Sequence, residues 1–111
     1  ISVTYEAVTR GSFIEVVYVS NTIRYKDTST TKKKTCTKEE QEILQQLLGK
    51  INYDELSKIE PPSTDSYRDA ALQAHLSITI NKITYKSKPF DHGNPPKELK
   101  SLIDKFFEIV D

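Results

Sequence analysis

The residues best suited to chemistry lie together in one short segment near the C-terminus, Asp91-His92-Gly93-Asn94. A carboxylate next to an imidazole can act as a general base with its orienting partner, or it can supply two ligands to a metal ion. The segment can equally be a shaped turn, in which Gly93 takes a left-handed conformation and Asn94 begins a helix. The pattern favours the turn, leaves contact with a ligand or partner open, and gives catalysis the least support.

No second motif completes a catalytic or metal-binding set. A metal centre usually takes three or four protein ligands, but the only other histidine, His75, falls on the polar face of a predicted strand. The single cysteine, Cys36, lies far in sequence from both histidines, so no nucleophile can be paired with a base. The sequence contains no HExxH or CxxC motif. We therefore assign no catalytic residue, and we expect no metal and no cofactor.

Arg10 and Asp69 form a second group of candidate binding residues. Arg10 occupies the tip of a predicted hairpin, where its guanidinium is exposed, and Asp69 directly precedes a predicted strand. Each could contact a partner. Bonds to turn amides, or an ion pair of Asp69 with Arg68 or Arg10, explain these residues equally well.

The composition excludes two classes of function. The chain has 111 residues, which suits one domain with a single modest core. Its 16 Lys and Arg side chains balance 16 Asp and Glu side chains, so no long-range field attracts nucleic acid. No apolar run approaches the roughly 20 residues that a membrane span needs, so we expect no transmembrane segment in this chain.

The N-terminal half predicts a three-stranded meander followed by a helix. Residues 2–9 and 12–19 alternate with a period of two, and the register that sets Thr9 opposite Ser12 brings their apolar side chains to one face. A third strand covers 22–26. The polar segment after it predicts a loop or a frayed edge strand, whose lysines at 32–34 discourage further pairing. Thr37 and Glu40 then form a capping box at the start of an amphipathic helix.

The C-terminal half supplies a second hairpin and a second helix. Residues 72–80 alternate cleanly, and the two-residue turn Asn81-Lys82 leads into a return strand. Asn94 is the predicted N-cap of the last helix, with Pro95 at its first position. The order β-β-β-α-β-β-α predicts one α+β domain over 1–111. We expect a single antiparallel sheet of about five strands, with two amphipathic helices packed on one face.

An apolar stripe lies on the face of the predicted sheet that the helices leave bare. The register pairs Val8 with Phe13, and Val17 and Val19 lie further along the second strand. Such a stripe is either covered by a loop or serves as a surface for a partner or for self-association.

Three C-terminal segments carry a resemblance to a known group of proteins: Asp69-Ala70-Ala71, Asn81 to Ser87, and Phe90 to Leu99. Together with Thr9 to Ser12 at the first hairpin, they resemble small lipoprotein-type domains of the Gram-negative cell envelope, which have no assigned activity. The resemblance implies an exported protein, and it brings no catalytic residue. The sequence contains no methionine, and we therefore expect that a segment before Ile1 was cleaved, was trimmed or lies outside this sequence. Either a cytosolic domain was trimmed or a signal segment was cleaved, and the second case allows a lipid anchor on an upstream cysteine.

These observations predict a non-enzymatic exported domain that acts as a binding or inhibitor-like interaction module on a protein or envelope partner. The alternative is a small metal-dependent or hydrolytic enzyme centred on Asp91 and His92. We expect the protein in the periplasm or cell envelope, with the cytoplasm as the alternative location.

Overall fold

Alternating apolar side chains build one antiparallel sheet. The computed structural model describes residues 1–63 and 72–111 of the chain. Within these residues the sheet contains seven strands: β1 (Ser2–Thr9), β2 (Ser12–Val19), β3 (Thr22–Asp27), β4 (Thr31–Thr35), β5 (Gln73–Ile80), β6 (Ile83–Lys86) and β7 (Phe90–Asp91). In the same described ranges the α-helices are α1 (Lys38–Gly49) and α2 (Lys97–Val110), and a 3-10 helix covers Tyr53–Lys58. The α+β class is confirmed.

The sheet is assembled around β1, which pairs with β2 on one side and with β5 on the other. The strand order is β4-β3-β2-β1-β5-β6, and the short β7 also pairs with β5. The predicted register of the first hairpin is confirmed, because Thr9 lies opposite Ser12. The predicted turn at Asn81-Lys82 is also confirmed, because Ile80 lies opposite Ile83. A one-residue slip would move every apolar side chain to the other face, which explains why the pattern specifies the register.

The sheet has more strands than the expected number of about five. Thr31 to Thr35 forms the edge strand β4, all of whose residues are exposed. Its three lysines leave the outer edge charged, which discourages pairing with another chain. The second additional strand, β7, contains only Phe90 and Asp91, too few residues for an alternating pattern to be visible in the sequence.

Both helices bury their apolar stripes against the same face of the sheet, which we call the core face. Thr37 and Glu40 form the predicted capping box of α1. Helix α2 contributes the larger share of buried side chains, among them Leu99, Leu102 and Phe106. These residues join the buried residues of β1, β2, β3 and β5 in one continuous core. The opposite side of the sheet is called the reverse face below.

The start of α2 corrects one prediction from the sequence. Asn94 does not cap the helix and Pro95 is not its first residue, because α2 begins at Lys97 and its N-cap is Pro96. A residue that precedes proline is disfavoured in the helical region. Pro96 therefore disfavours a helical conformation at Pro95, and the helix begins two residues later than predicted.

The sheet's hairpin turns place ordinary residues in the left-handed region. Asn81 and Lys82 have φ angles of 50° and 69°, and Ser20 and Asn21 have φ angles of 51° and 59°. Two consecutive positive φ angles define the type I′ turn, whose twist matches that of the adjoining strands. Asparagine tolerates this conformation, but lysine is strained in it.

Among the described residues, neither helix combines the length and the apolar character needed to cross a bilayer.

We predict that Lys82→Gly stabilises the protein, because glycine adopts a positive φ without the steric cost that Lys82 bears. Glycine also gives the unfolded chain more conformational entropy, which offsets part of this gain. The unfolding free energy should therefore rise by about 0.5 kcal/mol. Urea denaturation monitored by circular dichroism measures the change. Lys33→Gly, at an exposed strand position with no positive φ, is the matched control and should destabilise the protein. Equal destabilisation by both variants would contradict a strained turn.

Candidate functional site

The edge of β5 positions the segment around His92. Strand β6 pairs with one end of β5 and β7 with the other, and the chain bulges between them. Ser87 holds this bulge, since its backbone N–H donates to the Leu76 carbonyl at 2.8 Å and its Oγ accepts from the Leu76 N–H at 2.9 Å. The His92 N–H then donates to the carbonyl of Leu72 at 3.0 Å. The backbone of His92 is therefore attached to the beginning of β5.

A tight turn directs the chain from β7 towards α2. The Asn94 N–H donates to the Asp91 carbonyl at 2.9 Å, and Gly93 has a φ of +89°. The predicted left-handed glycine is confirmed, and another residue would be strained there. The turn brings the His92 ring against the core face and the C-terminal half of α2.

The His92 ring has a specific partner in β1. The Tyr5 hydroxyl and His92 Nδ1 lie 2.6 Å apart, although 87 residues separate them in the chain. The Tyr5 side chain is 1% exposed, and its ring meets Phe107 edge-on with the centroids 5.4 Å apart. Phe107 also meets the His92 ring at 5.9 Å. Three aromatic rings from three distant segments thus form one cluster.

A small pocket of about 220 Å³ opens beside this cluster. The rings of Tyr5 and Phe107, together with Pro95 and Ile103, form its apolar walls. His92 lines the same pocket and is the polar ring beside these walls. Apolar walls with a few polar groups are typical of a binding site, although typical small-molecule pockets have about 300–1,000 Å³. The space suits one side chain or a compact fragment.

A charged pair from α2 completes the lining of the pocket. Lys100 Nζ and Asp104 Oδ2 lie 2.6 Å apart, one helical turn from each other. Their side chains are 63% and 57% exposed, so water screens the ion pair and its contribution to stability is small. The two charges cancel, and the charged side chains that line the pocket carry no net charge.

Burial sets the protonation states of both polar rings. It raises the pKa of Tyr5, because an ionised phenol would lose its hydration inside the core. It lowers the pKa of His92 for the corresponding reason, since the imidazolium would be desolvated. At neutral pH the cluster therefore holds a phenol and an uncharged imidazole.

Asp91 and His92 have different partners. The Asp91 side chain is 8% exposed, and its Oδ2 accepts from Ser63 Oγ at 2.5 Å. Ser63 Oγ in turn accepts from the Asn94 amide at 2.8 Å. Asp91 lies opposite Gln73, on the reverse face, whereas the His92 ring binds Tyr5 on the core face. The sequence brought the two residues together, but the structure gives their side chains separate environments.

The remaining candidate residues do not join this pocket. Arg10 is exposed in the turn between β1 and β2 and is not part of the lining. Asp69 lies outside the described residues. Across residues 1–63 and 72–111, no three side chains among His, Cys, Asp and Glu are grouped so that they could hold a metal ion.

The apolar stripe on the reverse face is divided into two patches. Val8 is 48% exposed beside the partly buried Phe13, and Val19 is 38% exposed beside the partly buried Val17. Glu15 lies between Phe13 and Val17 on the same face, opposite Glu6 of β1. This acidic pair interrupts the stripe, so the reverse face presents no continuous apolar surface among these residues.

Sequence reasoning did not assign the α2 part of the pocket. Lys100, Ile103, Asp104 and Phe107 follow an i, i+3, i+4, i+7 spacing, which places them on one side of a helix. Ile103 belongs to the buried stripe of α2, and Phe107 is partly buried beside it. The spacing was a usable signal, because an aromatic residue beside a charged pair marks the border between the buried and exposed sides.

Comparison of the chain with protein-family models, curated proteins and solved structures gave no significant match.

We predict that acidification destabilises the protein through His92. The unfolded chain takes up a proton at the ordinary histidine pKa near 6.5, whereas the folded chain resists protonation because burial lowers the pKa of His92. The unfolding free energy should therefore fall as the pH drops from 7.5 through 6.5 towards the lower folded-state pKa.

Urea denaturation at a series of pH values measures this dependence. Carboxylates titrate at lower pH and also change the stability in acid. The contribution of His92 is therefore read from the difference in unfolding free energy between the wild type and a histidine variant at each pH. His92→Asn should lose the acid-sensitive component, while His75→Asn, on the reverse face, should keep it. If the difference between wild type and His92→Asn did not vary with pH, His92 would not be the responsible group.

Proposed function

We propose that the protein is a non-enzymatic binding module, in which one apolar side chain of a protein partner enters the pocket beside Tyr5 and His92. The observation that carries this proposal is the Tyr5–His92 hydrogen bond at the wall of a cavity of about 220 Å³. The bond holds a polar ring edge next to apolar walls, and that combination orients a bound group. The volume suits one large apolar side chain, the kind of anchor that dominates many interfaces.

The separate environments of Asp91 and His92 favour binding over the alternative hydrolytic or metal-dependent enzyme. General acid–base chemistry with these residues would require both at one reacting atom, or Asp91 in hydrogen-bond contact with the imidazole. Instead, Ser63 binds Asp91 and Tyr5 binds His92. Stoichiometric metal binding that His92→Ala abolishes would support the alternative.

We propose in addition that the module works in the bacterial cell envelope. The support is the resemblance of 69–71, 81–87 and 90–99 to lipoprotein-type envelope domains. An exported interaction or inhibitor-like module has its partner in the same compartment. Self-association through the reverse face has less support, because Glu6 and Glu15 interrupt its apolar stripe.

We predict that blocking the pocket prevents capture of a partner from envelope extract. Lys100→Trp places a bulky ring at the pocket and breaks the Lys100–Asp104 ion pair. Glu108→Trp is the matched control, because it breaks the Lys105–Glu108 ion pair of the same helix outside the pocket lining. Proteins retained by the wild type and by Glu108→Trp should be lost with Lys100→Trp.

A variant of the reverse face distinguishes the two surfaces. Phe13→Asp should retain the same proteins as the wild type and should leave light scattering unchanged. Loss of the retained proteins with Phe13→Asp, but not with Lys100→Trp, would move the binding surface to the reverse face and contradict the proposal. Circular dichroism and thermal unfolding confirm that each variant is folded.

We predict that the native protein fractionates with the cell envelope. Mass spectrometry of its N-terminus should show either a cleaved signal segment or a lipidated cysteine upstream of Ile1. An unprocessed N-terminus on a cytosolic protein would contradict the proposed location while leaving the binding pocket untouched.

A further inference from the structure

The Tyr5–His92 hydrogen bond decides which nitrogen of His92 carries the proton. A buried phenol hydroxyl needs an acceptor for its own proton. His92 Nδ1, at 2.6 Å, is the hydrogen-bond partner of the Tyr5 hydroxyl in the described part of the chain. The arrangement that satisfies the phenol has Tyr5 as the donor and Nδ1 as the acceptor, and it places the proton of the neutral imidazole on Nε2.

This assignment leaves His92 with one donor to offer. Burial keeps the ring uncharged at neutral pH, so Nε2–H is a neutral donor. Within residues 1–63 and 72–111 the His92 side chain has its hydrogen bond through Nδ1, to Tyr5, and none through Nε2. Since His92 lines the pocket, a bound group that brings an acceptor atom can use this donor.

The charges around the pocket select the kind of acceptor. Lys100 and Asp104 neutralise each other at 2.6 Å, so the lining does not attract an ion of either sign. A carboxylate ligand would meet the like charge of Asp104 and would have to compete with it for Lys100, and it would lose hydration against Tyr5 and Phe107. An uncharged oxygen has neither disadvantage.

We propose that the pocket selects an uncharged carbonyl group carried on an apolar body, with the carbonyl oxygen accepting from His92 Nε2–H and the apolar part packing between Tyr5, Phe107 and Ile103. In a protein partner, this group is an apolar side chain together with a neighbouring backbone carbonyl. This inference rests on the proposed function, because it names the chemistry of the group that enters the same pocket.

Three matched aromatic probes test the selection. Acetophenone carries a neutral carbonyl, α-methylstyrene replaces that carbonyl oxygen with a methylene group, and benzoate carries a charged acceptor. Each is titrated into ¹⁵N-labelled protein, and the shifts of Gly93, Phe107 and the His92 ring are followed. Acetophenone should bind about three- to tenfold more tightly than α-methylstyrene, the effect of one neutral hydrogen bond. Benzoate should bind more weakly than acetophenone.

Variants test whether the preference for a carbonyl group depends on the His92 ring. Tyr5→Phe removes the donor that sets the tautomer, so it should reduce the preference for acetophenone over α-methylstyrene. His92→Phe should abolish that preference, whereas His75→Phe, on the reverse face, should leave it unchanged. A long-range ¹H–¹⁵N spectrum of the His92 ring reports the tautomer directly, and a proton on Nδ1 would overturn the inference whatever the affinities.

The possible results separate this inference from the proposed function. Equal binding of acetophenone and α-methylstyrene at the pocket would overturn the carbonyl preference but leave the pocket as an apolar binding site. Tightest binding of benzoate would overturn it in favour of an anion. If no probe shifted the pocket resonances at millimolar concentration, both the inference and the proposed pocket would be overturned.

Discussion

The central position of β1 is the constraint on which the rest of the structure depends. Val3, Tyr5 and Ala7 are at most 1% exposed, and the strand that carries them pairs on both sides, with β2 and with β5. The alternation of apolar and polar residues sets the register of these pairs, since a one-residue slip would carry apolar side chains to the reverse face. Helix α2 then covers this core face with its apolar stripe. The sheet register, the core and the location of the pocket all follow from that arrangement.

The pocket forms where the regular strand β1 lies beside the irregular segment between β6 and α2. Tyr5 belongs to the regular core. His92 follows the bulge at Ser87 and the two-residue strand β7, and it directly precedes the left-handed Gly93. Pro96 adds to the effect, because it delays α2 and leaves Pro95 at the pocket wall. Backbone constraints of this kind hold a side chain in place at little entropic cost on binding. The Tyr5–His92 bond adds a defined polar direction to that placement.

Much of the fold could be predicted from residue patterns, and the errors have physical causes. The alternation in 2–9, 12–19 and 72–80 specified faces and registers, and Thr37 with Glu40 marked the start of α1. Strand β4 was left open between a loop and an edge strand, because three lysines in a row carry no alternating signal. Helix α2 begins later than Asn94-Pro95 predicts, because these residues resemble a cap while Pro96 disfavours the helical conformation at the residue before it. At the candidate site the sequence favoured a turn over 91–94 and left an Asp91–His92 pair open as the alternative, whereas the structure gives His92 the partner Tyr5.

By itself, the sequence determined the α+β class, the pairing of strands within each hairpin, the apolar side of each helix and the left-handed turn at Gly93, whereas the pairing of β1 with β5 came from the tertiary structure. Each feature that the sequence determined depends on residues close together in the chain, or on a periodicity that a local window contains. Only the tertiary structure decided that His92 meets Tyr5, that Asp91 meets Ser63, and that Lys100, Asp104 and Phe107 line the same pocket. Such contacts join residues tens of positions apart, and the packing of α2 on the sheet creates them. A local pattern can identify a reactive residue, but its chemistry depends on the partner that the fold supplies.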